Sequence, residues 1–120
     1  MSQPCSAPLL VLFDAELFEV STAADVLAAL VGARGIARGA ISDRADIAAR
    51  LDAAGTAQWF DFWLAGAAGD WPFARALALA GVEPQRALLV SNDDAVLAAA
   101  QQAGIRACNA DVDELERQLS

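Results

Sequence analysis

Five apolar residues in succession, Leu9-Leu10-Val11-Leu12-Phe13, run directly into an acid, Asp14. An amphipathic helix or a half-covered strand would interleave polar residues at a period of 3.6 or 2. A short, uninterrupted apolar run is instead the mark of a strand covered on both faces. Such a strand needs parallel neighbours and crossover helices, so this segment restricts the chain to α/β architectures. Ligands of open α/β sheets bind beyond the carboxyl ends of the strands, which is where Asp14 stands.

The remaining sequence alternates in the same way. Ser21 and Thr22 can cap a helix that runs to about Ala33 on the stripe Val26, Leu27 and Leu30, with Gly32 and Gly35 as its stop. Ala37 to Ile41 reads as a second strand. Asp43 or Arg44 opens a helix through Ala54 that buries Ile47 and Leu51 and stops at Gly55. Trp59 to Leu64 reads as an aromatic strand, and Pro72 as the first residue of a helix through Ala80. Ala87 to Val90, a helix from about Asp94 to Ala103, a strand Ile105 to Cys108 and a helix Val112 to Leu119 complete the chain. The expectation is one domain over residues 1–120, with 1–7 a loose N-terminal segment, and a parallel sheet carrying helices on both faces.

Composition narrows the function. The 120 residues are 57% hydrophobic and 20% charged, which suits a globular domain and not a disordered one. Sixteen acids oppose eight bases, and a net charge of −8 repels nucleic acid and anionic membranes, so neither is expected as a partner. There is no histidine, and all eight bases are arginines. Histidine-ligated metal, Ser-His-Asp chemistry and any lysine Schiff base or phosphate-loop lysine are therefore excluded. Cys5 and Cys108 form no metal or redox motif, and Cys108 reads as a small buried hydrophobe. No basic residue precedes Arg34 and the opening apolar run is short, so neither a signal peptide nor a membrane span is expected, and the location expected is cytoplasmic.

Three polar clusters converge at the carboxyl edge of such a sheet. Asp14-Ala15-Glu16 offers two carboxylates, one as nucleophile toward a phosphoryl group and one as acid/base. Asp93 and Asp94 offer oxygen ligands to a hard cation, or a cap for the following helix. Ser42 offers a donor to a phosphoryl oxygen, or, with Asp43, another helix cap.

Val11-Leu12-Phe13-Asp14-Ala15-Glu16 resembles the opening motif of the haloacid dehalogenase (HAD) superfamily, an apolar strand ending in FDxDGT. The resemblance covers residues 8 to 110. Ala24 to Gly35 is similar to the helix before the family's second strand, and Ala40-Ile41-Ser42-Asp43 to its Ser/Thr motif. Trp59 to Gly66 is similar to its third strand, Pro72 to Pro84 to the helix leading into the fourth, and Leu89 to Ile105 to its acidic fourth motif with the helix after it. It implies a three-layer Rossmann-like core of five parallel strands, the first central, the second and third to one side, the fourth and fifth to the other. With 28 positions from Asp14 to Ser42, it implies no cap domain. It also implies Asp14 as nucleophile with Glu16, Ser42 and Arg75 in the catalytic set, and Mg²⁺ held by Asp14, Glu16, Asn92, Asp93 and Asp94.

The motifs are degenerate. Glu16 stands for the second Asp, and Leu17-Phe18 for Gly-Thr. The family's lysine aligns with Ala67 or Gly69, leaving Arg75 as the nearest base. Ser91-Asn92 replaces Gly-Asp, and the later acid aligns with Val96. The expectation is an eroded phosphotransfer site with weak or absent Mg²⁺, little or no phosphatase activity, and a binding or regulatory role toward a protein partner or phosphorylated substrate. The alternative is a divergent Mg²⁺-dependent phosphatase. A receiver-type phosphoacceptor domain is disfavoured, because Asp61 precedes the end of its strand and lysine is missing. The aromatics between Trp59 and Trp71 read either as a corner of the core or as a homodimer contact.

Overall fold

The computed structural model describes residues 8–17, 23–66 and 70–119. Its element order is β1 (Leu10–Asp14), α1 (Ala23–Ala33), β2 (Ala37–Ser42), α2 (Ile47–Ala54), β3 (Phe62–Ala65), α3 (Phe73–Ala80), β4 (Ala87–Val90), α4 (Asp94–Gln102), β5 (Arg106–Cys108) and α5 (Val112–Leu119). The five strands form one sheet in the order β3-β2-β1-β4-β5, and every pairing is parallel. This is the arrangement implied by the family resemblance, with β1 central. Among the described residues, the segment between β1 and β2 holds α1 and no inserted domain.

The apolar run at β1 explains the layering. Successive strand residues point to opposite faces, so a continuous run must be covered twice. Val11 and Phe13 join one buried cluster with Leu27 and Val31 of α1, Ile47 and Leu51 of α2, and Leu115 and Leu119 of α5. Leu10 and Leu12 join the other, with Phe73 and Ala76 of α3 and Val96 and Ala100 of α4. Leu10 to Phe13 are all fully buried.

Local chemistry moves several boundaries. Gly32 lies inside α1 and does not end it. A Cβ there would meet the Arg38 guanidinium at 2.7 Å, so the bare backbone gives room for the arginine, whose Nη1 donates to the Ala28 carbonyl at 3.0 Å. The stop is Gly35, whose φ of 70° is open to glycine at no steric cost. Residues Ala57–Trp59 form a 3₁₀ turn, and β3 begins at Phe62. The delay is set by Asp61, whose carboxylate accepts from Arg38 N at 2.9 Å while its own N–H donates to the Arg38 carbonyl at 2.8 Å. Pro72 precedes the first helical residue of α3. Neither Ser42 nor Asp43 caps α2, whose N-cap position is Asp46. Ser21 and Thr22 lie outside the described residues, as do residues 1–7 with Cys5.

The aromatics divide between the two cores. Phe60 packs against Phe13 with ring centroids 5.8 Å apart, and Trp71 stacks on Phe73 at 6.3 Å. Among the described aromatics, Trp63 on the edge strand β3 is the exposed one at 39%. Cys108 is buried, and burial pushes its thiol pKa up to about 12, so it is an unreactive packing residue. Among the described residues no helix is long and apolar enough to cross a membrane.

The central position of β1 predicts an asymmetric response to truncation. Leu12→Ala should destabilise by about 2–5 kcal/mol in urea unfolding, since it opens a cavity that cannot refill. Leu79→Ala, at a site 60% exposed, should stay within about 0.5 kcal/mol of the parent. Equal losses at the two positions would contradict this assignment of the core.

Candidate functional site

The sheet order places its topological switch between β1 and β4. From β1 the chain proceeds outward through β2 and β3, then returns to the other side for β4 and β5. Crossover connections diverge at that point and leave a crevice beyond the strand ends. A cleft of about 310 Å³ lies there, lined by Asp14, Glu16, Leu17, Asn92 and Asp93.

Asp14 is the last residue of β1 and is 3% exposed. After it the chain turns and does not extend, and the turn aims the Glu16 N–H at Asp14 Oδ1, 3.1 Å away. The other carboxylate oxygen, Oδ2, accepts from the Ser91 hydroxyl at 2.8 Å. Ser91 is fully buried, and its Oγ in turn accepts from Asp93 N at 3.0 Å. The Asp93 carboxylate accepts from Ala95 N at 2.9 Å, which caps α4. A relay of hydrogen bonds thus ties the N-terminus of α4 to the carboxylate at the end of the central strand.

Burial is the main reason that the Asp14 carboxyl titrates above its ordinary 3.8. The charges of Glu16 and Asp93 add to the rise, and the bonds from Ser91 and from the Glu16 amide oppose it.

Of the residues expected at the site, Asp14, Glu16, Asn92 and Asp93 share the cleft. Asp94 is exposed in the first turn of α4 and is not part of the lining. Ser42 ends β2, where its Oγ accepts from Arg44 N at 3.0 Å and its carbonyl takes the Gly66 N–H at 2.8 Å. It serves the turn after β2 and is not part of the cleft lining. Arg75 is exposed, and its guanidinium donates to the Ala65 carbonyl at 3.3 Å, at the end of β3 and two strands from β1. Val96 is in the core, not at the cleft. Ala67 and Gly69 lie outside the described residues.

Two further residues shape the site, Ser91 beneath it and Leu17 in its lining. Ser91 was visible in the sequence only as a departure from Gly. Its role follows from register: Phe13 pairs with Val90, so the residues just beyond them, Asp14 and Ser91, stand side by side. Leu17 is 2% exposed and closes the cleft from the core side, where the family motif has Gly.

Magnesium takes near-octahedral oxygen ligation, with one or two carboxylates and several waters. The cleft supplies oxygens, but Asn92 Oδ1 is engaged by Ala110 N at 3.0 Å and Asp93 Oδ1 by Ala95 N. Among the described residues, no three acidic or thiol side chains are grouped to hold a metal ion. The bonds from Ala110 N and Ala95 N occupy Asn92 and one oxygen of Asp93, so Asp14, Glu16 and the other Asp93 oxygen are the donors that the cleft would offer a magnesium ion.

The burial of Asp14 gives a signed prediction. An acid with a raised folded pKa binds its proton more tightly when folded, so its ionisation lowers stability as pH rises through and beyond 3.8. Asp14→Asn should therefore raise the melting temperature at pH 7, with the gain shrinking as pH approaches 3.8. A variant less stable than the parent at pH 7 would contradict a strained carboxylate.

No protein-family model and no curated protein sequence matches the chain. Solved structures do. The core domain of a Streptococcus pneumoniae protein assigned as a phosphoglycolate phosphatase superposes with a TM-score of 0.62 at 18% identity, over 88% of this chain and 82% of that one. A HAD-superfamily hydrolase of subfamily IA from Geobacter sulfurreducens gives 0.62 at 16% identity, over 78% of this chain and 53% of that one. A β-phosphoglucomutase from Clostridium difficile gives 0.63 at 19% identity, over 86% and 52%. The chain thus spans about half the length of the last two proteins. Strand order, parallel pairing and these superpositions agree that the chain has the Rossmann-like core fold of the haloacid dehalogenase superfamily.

Proposed function

We propose that this protein is a HAD-fold module whose phosphotransfer site has eroded, with little or no phosphatase activity and a binding or regulatory role. One observation carries the reading: the buried Asp14 carboxylate is neighboured by Glu16 and Asp93 and held by Ser91, while Arg75 is tied to the Ala65 carbonyl. A carboxylate attacking a phosphoryl group must approach an anion. It needs a cation there to offset the repulsion, and the cleft lining described contains only acids, an amide and a leucine.

Magnitudes support the same reading. Loss of one preorganised electrostatic stabiliser costs about 10²–10³ in rate. Enzymatic accelerations start near about 10⁶, so the joint loss of cation and metal carboxylate removes most of what an enzyme needs. The second reading, a divergent Mg²⁺-dependent phosphatase with Asp14 as nucleophile and Glu16 as acid/base, draws on the three acids that share one cleft.

A binding role needs a surface, and the exposed Trp63 on edge strand β3 is the candidate for a homodimer contact in the Trp59–Trp71 region. A cytoplasmic location fits the acidic surface and completes the reading.

Two outcomes follow. Hydrolysis of p-nitrophenyl phosphate in millimolar Mg²⁺ should stay at the level of Asp14→Asn, whereas turnover abolished by that substitution would establish the phosphatase. Sedimentation equilibrium should show self-association weakened by Trp63→Ala, and a monomeric parent protein would remove the homodimer.

A further inference from the structure

A serine hydroxyl has one proton to donate, and Ser91 spends it on Asp14. Its Oγ lies 2.8 Å from Asp14 Oδ2 and accepts the Asp93 N–H at 3.0 Å. The backbone beneath is pinned as well, since the Ser91 N–H donates to the Cys108 carbonyl of β5 at 3.1 Å. Ser91 is fully buried, just beyond the end of β4. Turning the hydroxyl away from Asp14 would forsake that bond in a place closed to bulk water, which makes its present orientation the favoured one.

This bond bears on what the carboxylate can hold. Asp14 Oδ1 already accepts the Glu16 N–H at 3.1 Å, so a hydrogen is directed at each of its two oxygens. A hard cation binds through carboxylate oxygens that face it with their charge free, and a hydrogen already aimed at the same oxygen opposes it. The Glu16 donor is backbone and independent of the side chain there. The Ser91 donor is a property of one side chain. The same hydroxyl anchors the Asp93 backbone, while Asp93 Oδ1 is turned to cap α4. Asp14, Glu16 and Asp93 share the cleft lining, and the charges of Glu16 and Asp93 press on Asp14. A divalent ion is the ligand that would relieve this crowding. As folded, however, no three acids among the described residues are grouped to hold one.

We propose that Ser91 is a metal-excluding residue: its hydroxyl, by occupying Asp14 Oδ2 and anchoring Asp93 N, keeps a hard divalent cation out of the cleft. The inference rests on the eroded-site reading above and assigns the loss of magnesium to a single side chain.

Mn²⁺ is the probe, because the paramagnetic resonance of the free ion reports binding with no assumption about substrate or turnover. Titrated into the full chain, it should bind Ser91→Ala at least about ten-fold more tightly than the parent. The gain should vanish in the double variant Ser91→Ala with Asp14→Asn. Mg²⁺ should compete for the same site and raise the melting temperature of Ser91→Ala more than that of the parent. Ser91→Gly also removes the hydroxyl and carries the test if the alanine variant does not fold. A merely structural role for Ser91 predicts loosened packing and no gain of affinity. Equal affinity in parent and variants, or a gain that survives Asp14→Asn, would overturn the proposal and leave the eroded-site reading standing. Tight, Asp14-dependent binding by the parent itself would overturn both.

Discussion

Everything in this fold depends on the double burial of β1. Four consecutive residues, Leu10 to Phe13, are removed from water completely, with alternate side chains committed to opposite cores. Neither helix layer can be lost without exposing half of that strand, and neither neighbouring strand can shift by one residue without exchanging its faces. The register of β1 with β2 and β4 is thereby fixed. The residue that ends the apolar run is held at the sheet's carboxyl edge, at the switch between β1 and β4. Asp14 is placed by the packing beneath it.

That placement is electrostatically costly and only partly offset. Two hydrogen bonds reach the carboxylate, one from the turn that follows it and one from Ser91, but two further acids stand nearby. In an active phosphotransfer site a cation would resolve the conflict and be used again in the transition state. In the proposed eroded site the neighbouring Ser91 hydroxyl takes part of that role. A neutral donor holds the carboxylate in place without supplying the charge that an incoming phosphoryl group requires. The same hydroxyl accepts from Asp93 N, and so couples the carboxylate to the cap of α4. On the reading proposed above, the arrangement positions the carboxylate without equipping it for phosphoryl transfer.

Most of the framework was legible in the sequence because it rests on burial. The run Leu10 to Phe13 and the buried strand Ala87 to Val90 need only hydrophobicity and length to be recognised, whereas Leu9, at the start of the same apolar run, is 51% exposed. Where local and long-range demands compete, the sequence is less direct. Gly32 has the composition of a helix stop but serves the packing of Arg38, and Trp59 has strand propensity but lies in a 3₁₀ turn before Asp61 locks β2 to β3. The site shows the same divide. Asp14, Glu16, Asn92 and Asp93 could be gathered from strand ends alone, because topology brings those ends together. Ser42 and Arg75 could not be assigned that way, since their side chains take local backbone partners. Ser91 needed the β1–β4 register before its place beside Asp14 became evident.

On the proposed reading, Asp14 is held in a site without the charge compensation that phosphoryl transfer needs. Beryllofluoride, which mimics a phosphoryl group on an aspartate, tests this without any assumption about substrate. Fluorine NMR of the folded protein with beryllofluoride and Mg²⁺ should show no bound resonance, in the parent chain or in Asp14→Asn. A bound resonance that requires Mg²⁺ and disappears in Asp14→Asn would contradict the account and establish a working phosphotransfer site.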